Sequence, residues 1–309
     1  MDTIAVLMTQ PEQLQLQRVD LIPPGDEDVV VHVEWSGIST GTEKLLWLGR
    51  MPNFPGMGYP LVPGYESVGR IVQAGPASGQ SVGRRVFIPG SRGFRDVRGL
   101  FGGAAGRLVT PGARVIPVDE SLGDTAILLA LAATAYHAIV DHPPELIIGH
   151  GVLGRLLARI TIAMGHPAPN VWELSPDRAE GAEGYTVQAP DADARRDYRR
   201  ICDASGDQNI LDQLVARLAP GGEITLAGFY DRLSFAFAPA FMREMRLRIA
   251  AEWQAQDMAA LNQLITEGKL SLDHLITHRQ HAGDAPDAYR TAFGDARCLK
   301  MVLDWRKHA

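Results

Sequence analysis

The chain has 309 residues, with 30 Lys plus Arg against 36 Asp plus Glu, a net charge of −6 and 46% hydrophobic residues. That length buries a core without metal or disulfide staples. The composition excludes a disordered chain, and the acidic balance argues against a nucleic-acid partner. Two cysteines, Cys202 and Cys298, form no Cys-x-x-Cys pair. They exclude a disulfide scaffold and a Cys-rich zinc site, and they fit a reducing, cytoplasmic setting.

The N-terminal stretch Met1–Gln10 carries Asp2 and no basic leader, so it reads as a strand and not a signal peptide. Up to about residue 120 the chain is rich in Val, Gly and Pro. Runs such as Val29-Val-Val-His-Val-Glu-Trp are broken by turn clusters such as Pro23-Pro-Gly-Asp. That pattern predicts many short strands in a mainly β lobe. The apolar run Ala126–Tyr136 is too short to cross a membrane and suits a buried helix over 125–142, so no membrane span is expected.

Beyond it, strands and helices alternate. Strands are predicted at 145–149, 170–174, 185–187, 200–203, 223–229 and 247–250, with helices over 152–164 and 210–218. The first of these helices carries Arg155 and Arg159 four apart on one side. The second is expected to stop at Pro220-Gly-Gly. Such alternation implies right-handed crossovers and a doubly wound parallel sheet. A helix over 256–267 and a strand over 298–305 follow. The expected organisation is α/β: a β-rich domain over 1–122, a dinucleotide-binding domain over 123–254, and a return segment over 255–309 that completes the first.

The sharpest motif is Gly149-His150-Gly151-Val152-Leu153-Gly154, placed between a predicted strand and a predicted helix. Its glycines permit the tight turn, the approach of a pyrophosphate and close helix–strand packing. The helix N-terminus offers N–H donors to the phosphates. Glu173 ends the next strand 19 residues after Gly154. A carboxylate there accepts from ribose hydroxyls and repels a 2′-phosphate, which selects NAD. Arg178 either stacks on adenine or is solvated.

The order of lobes, with this motif in the middle, resembles the medium-chain dehydrogenase/reductase superfamily over most of the chain. Gly37-Ile-Ser-Thr-Gly-Thr-Glu43, Pro63-Gly-Tyr-Glu-Ser-Val-Gly69 and Val82-Gly-Arg-Arg-Val86 are similar to its zinc-ligand, Pro-Gly-His-Glu and Gly-Asp-Arg-Val segments. The resemblance implies a GroES-like catalytic lobe beside a Rossmann domain. It also places Ser39, Tyr65 and Ala130 at or near positions where zinc-dependent members hold Cys, His and a third ligand. A hydroxyl and a phenol are poor zinc ligands, so no catalytic metal is expected. Within the superfamily, Trp35–Gly49, Pro63–Arg70 and Gly268–His278 resemble the bacteriochlorophyllide dehydrogenase branch. That implies oxidation of a 1-hydroxyethyl group on a magnesium tetrapyrrole to acetyl, with NAD as hydride acceptor. The other readings are a zinc-free NAD(P)H quinone or enone reductase, which Glu173 opposes, and a silent dinucleotide-binding protein.

On this resemblance the catalytic candidates are Ser39, Thr42, Tyr65, Glu66 and His137, with Glu43 beside them. Tyr65 either contacts the substrate hydroxyl, with Ser39 or Thr42 relaying the proton, or fills the space of a lost metal. Glu66 is structural or catalytic, and His137 is a packed histidine or a base. Trp47, Phe54 and Tyr59 either stack on a flat ring or pack the lobe's own core. Arg92 and Arg95, in an arginine-rich stretch, are candidates for a substrate carboxylate. A homodimer is expected by analogy, paired through the last strand of the parallel sheet.

Overall fold

A computed structural model describes residues 1–52, 56–230 and 232–308. It divides into two units, Met1–Ala130 with Asp273–Ala309, and Leu131–Leu272. The divisions differ from the expected 122/123 and 254/255. The helical stretch Glu120–Ile139 runs across the first. The helix Ala255–Thr266 belongs with the second unit, where its Asp257 accepts from His137 Nδ1 at 2.9 Å.

In the first unit, Asp28–Ile38 is the hub. It pairs antiparallel with Ser67–Ala74, Arg107–Pro111 and Met301–Asp304. A strand covered on both faces reads as a continuous β-branched run, which is what Val29-Val30-Val31 supplies. A second sheet joins Gln13–Asp20, Asp2–Gln10, Leu61–Val62 and Arg98–Gly99. The C-terminal strand is fixed by side chains as well as by its ladder: Trp305 Nε1 donates to Ser36 Oγ at 2.8 Å. Two helices here escaped the sequence reading, Thr42–Trp47 and Ala285–Gly294.

The second unit holds a six-stranded parallel sheet in the order Thr186–Gln188, Asn170–Trp172, Leu146–Ile148, Tyr198–Asp203, Leu218–Leu226, Arg246–Ile249. This is the doubly wound order, and its direction reverses between Leu146–Ile148 and Tyr198–Asp203, where dinucleotides bind. One expectation is corrected. The helix ends at Val215, and Pro220-Gly221-Gly222 lies inside a strand that starts at Leu218. The pairing runs Tyr198 to Leu218 and then Arg200 to Glu223, so these residues form a bulge and do not stop a helix.

The crossover 189–197 contains only the short 3-10 turn Pro190–Ala192. Buried Asp193 does the packing in place of a helix: its Oδ2 accepts from Trp172 Nε1 at 2.8 Å and from Tyr198 OH at 2.7 Å. The stretch Glu120–Ile139 is long and apolar enough to cross a membrane by length and composition, and 56% of that window is buried, as in a core helix.

Candidate active site

Two sites take shape, one in each unit. In the first, residue Ser39 follows the hub strand and precedes the helix Thr42–Trp47. Its Oγ accepts from Thr42 N at 3.2 Å and from Tyr65 OH at 2.9 Å. The positions 26 residues apart in sequence are thus one hydroxyl pair. Tyr65 is half-buried, with its ring edge-on to Phe101 at 5.4 Å. Burial, followed by the Glu66 charge, pushes its phenol well above the ordinary value, against hydrogen bonds with Ser39 and Thr42. At neutral pH it is a phenol and not a phenolate, so it can pass a proton but is no free-standing base.

Behind the pair lie two buried carboxylates, and their partners come from the C-terminal segment. Glu43 accepts from Ser39 N at 3.1 Å and from Tyr289 OH at 2.6 Å. Glu66 pairs through Oε2 with Lys300 Nζ, and its Oε1 is buried with no hydrogen-bond partner. Glu66 and Lys300 are 0% and 1% exposed at their side chains. Gly37 makes room for them, since a Cβ there would lie 2.4 Å from Glu66 Oε2. Tyr289 and Lys300 were missed from sequence; nothing near them in the chain marks them.

Burial raises the Glu43 carboxyl from 4.5 to about 7. The folded chain therefore binds a proton that the unfolded chain releases between those values. The contribution to stability is present below pH 4.5 and lost as pH rises through 7, about 3 kcal/mol in all. Glu43→Gln should remove that slope from the pH dependence of denaturant midpoints between pH 5 and 8. An unchanged slope would reassign the titration.

The resemblance places Ser39, Tyr65 and Ala130 at or near positions where zinc-dependent members hold their metal. Ser39 and Tyr65 bring a hydroxyl and a phenol already bonded to each other, and Ala130 brings no donor atom. These do not fit zinc, which takes thiolate, imidazole or carboxylate. Among the described residues no group of three or more His, Cys, Asp or Glu is placed to hold a metal.

The other predicted residues of this unit are scattered. Trp47 and Tyr59 pack against the lobe's core, Trp47 at 6.3 Å from Phe293 and Tyr59 donating to the Leu46 carbonyl. Arg92 and Arg95 are exposed, and Arg95 N donates to the Asp20 carbonyl. Phe54 lies outside the described residues.

In the second unit the glycine motif turns from Leu146–Ile148 into the helix Val152–Ala163, with Gly151 as its N-cap. Gly149 has φ +90°, and a Cβ on Gly154 would lie 1.8 Å from the Gly149 carbonyl oxygen. Only glycine fits at 154, so Gly154→Ala should abolish dinucleotide binding, measured by NADH fluorescence; retained binding would contradict the packing. Val152 is buried and Leu153 half-buried on the first turn. Gly151 has open space where a Cβ would stand, the clearance a pyrophosphate needs. Glu173 immediately follows the adjacent strand Asn170–Trp172. Its Oε2 accepts from His150 N at 2.9 Å and its Oε1 from Leu174 N and Ser175 N at 2.9 and 2.8 Å. These three bonds leave about one of the carboxylate's four lone-pair sites, on Oε2, for a ribose hydroxyl.

His150 is fully buried and Arg178 half-buried. His137 Nδ1 bonds buried Asp257, which also accepts from Gln254 N at 2.7 Å and so caps a helix. That arrangement is what a packed histidine makes.

Comparisons with known proteins agree with this fold. Residues 25–120 match the alcohol dehydrogenase GroES-like domain. The chain is 57% identical to 2-desacetyl-2-hydroxyethyl bacteriochlorophyllide A dehydrogenase of Rhodobacter capsulatus, over 99% of each chain. It is 56% identical to the protein of that name from Cereibacter sphaeroides, over 100% of each. Among solved structures, 2R,3R-butanediol dehydrogenase from Bacillus subtilis superposes with a TM-score of 0.84 at 18% identity, covering 98% of this chain and 99% of that one. A dehydrogenase from Sinorhizobium meliloti 1021 bound to NADP gives 0.82 at 18% identity, with the same coverage. The chain therefore belongs to the 2-desacetyl-2-hydroxyethyl bacteriochlorophyllide A dehydrogenase family, within the medium-chain dehydrogenase/reductases.

Proposed function

We propose that the chain oxidises the ring A 1-hydroxyethyl group of a bacteriochlorophyllide to acetyl, with NAD as hydride acceptor and without zinc. The observation that carries the reading is the Tyr65–Ser39 hydroxyl pair, at 2.9 Å, in a chain 57% identical to a dehydrogenase of that name. NAD, bound at the glycine turn, supplies the hydride acceptor. Tyr65 holds the carbinol hydroxyl. As that proton moves to Tyr65 Oη, the phenol proton moves to Ser39 Oγ at 2.9 Å or to the Thr42 hydroxyl, and the hydroxyl that takes it releases its own proton to water. Glu43 and Glu66 hold the two loops in place. The carboxylate of Glu173 favours NAD over NADP.

The open edge of the parallel sheet, Arg246–Ile249, exposes Leu247 and Ile249 and is the surface on which a second copy pairs. The two free, buried cysteines suit a cytoplasmic setting.

The test uses purified chain, 3-(1-hydroxyethyl) bacteriochlorophyllide a and NAD or NADP in the dark, with and without a chelator. A long-wavelength absorption change matched by NADH, and unaffected by chelator, is expected. Loss of activity on chelation, or preference for NADP, would overturn the corresponding part.

A further inference from the structure

The crossover from Asn170–Trp172 to Thr186–Gln188 holds only the four-residue helix Pro176–Ala179. A full crossover helix would satisfy its own carbonyls. Here the carbonyls of Arg178, Glu180 and Gly181 accept from one buried guanidinium. Arg155 donates to them at 3.2, 2.7 and 3.1 Å, and through Nε to the His150 carbonyl at 3.2 Å. One side chain thus ties the glycine turn to the loop after Glu173.

His150 makes the second tie. It is 0% exposed, with its ring turned into the fold. Nδ1 is 2.6 Å from the Arg178 carbonyl and Nε2 is 2.7 Å from Tyr185 OH. A carbonyl only accepts, so Nδ1 carries the hydrogen. Burial lowers the ring to about 4, so it is neutral at pH 7 and Nε2 accepts from Tyr185. Of the three N–H groups that hold Glu173, one belongs to His150, which both ties fix. The other two belong to Leu174 and Ser175, and the Ser175 carbonyl accepts from the N–H of the tied Arg178 at 3.0 Å.

We infer that Arg155, His150 and Tyr185 are positioning residues for cofactor selectivity: they hold Glu173 and its loop in the shape that accepts a 2′-hydroxyl and rejects a 2′-phosphate. The inference rests on the NAD reading above and extends it from one carboxylate to the groups behind it.

NADH and NADPH are titrated by fluorescence into the full chain as wild type, Tyr185→Phe, Arg155→Lys and Glu173→Ala, with thermal melting as the fold control. Tyr185→Phe and Arg155→Lys should each weaken NADH about fivefold, the scale of one lost hydrogen bond, and leave NADPH within about twofold. Tyr185→Phe removes a single oxygen and is the variant that keeps the fold. Equal weakening of both dinucleotides, through unfolding or otherwise, or no change in either, would overturn the inference. A wild type that prefers NADPH, or a Glu173→Ala variant that keeps wild-type selectivity, would instead overturn the NAD reading, and the inference with it.

Discussion

Tyr65→Phe should lower kcat on the hydroxyethyl pigment on the order of 100-fold while NADH affinity stays at the wild-type value. The substitution removes one oxygen from a half-buried ring that Phe101 holds edge-on, so the ring stays where it is. What is lost is the hydroxyl that bonds Ser39 at 2.9 Å. A positioned proton-transfer group contributes about 10²- to 10⁴-fold, and the lower end suits a phenol whose raised pKa makes it a relay. Among the described residues, no hydrogen bond or ring contact joins Tyr65 to the candidate cofactor residues Gly149–Gly154 and Glu173, so a fall in NADH affinity is not expected. Unchanged turnover would mean that Tyr65 merely occupies space a metal fills elsewhere.

Lys300→Met should cost about 3–5 kcal/mol of stability, because it leaves the Glu66 carboxylate buried and unpaired. Glu66 already has one oxygen without a partner, so no neighbouring donor stands ready to replace the ammonium. Adding Glu66→Gln to Lys300→Met should recover most of the loss, since a neutral amide carries a far smaller desolvation penalty. Denaturant midpoints followed by tryptophan fluorescence measure both; Trp305 is buried in the same unit. A single variant within about 1 kcal/mol of wild type would show that water reaches Glu66, contrary to its complete burial.

The strand, glycine turn and helix around Gly149–Gly154 were legible from residues alone. Gly149, Gly151, Gly154 and Glu173 are local in sequence, and each has a backbone reason to be what it is. The doubly wound parallel sheet followed from alternation of short apolar runs with helices; the order of its strands did not. The errors sit where local signals conflict with tertiary pairing. Pro220-Gly-Gly has the composition of a helix stop, yet it bulges within a strand because its neighbours pair with Tyr198 and Arg200.

The candidate site of the β-rich unit was legible only as a resemblance. Ser39 and Tyr65 carry no spacing rule, and their contact depends on how two loops meet. Tyr289 and Lys300 were invisible. They lie 246 and 234 positions from the carboxylates they serve, and a lone Tyr or Lys carries no sign of burial. His150 was read as part of the cofactor loop, but its inward rotation needed the partners Arg178 and Tyr185 to be in place.

The most direct test follows the hydride itself. The pigment is prepared with deuterium on the carbinol carbon of its hydroxyethyl group and given to chelator-treated enzyme with NAD in the dark. The account predicts one acetyl pigment and one deuterated NADH per turnover, with zinc below detection in the active protein. Deuterium released to solvent, or turnover that returns only when zinc is added, would contradict it.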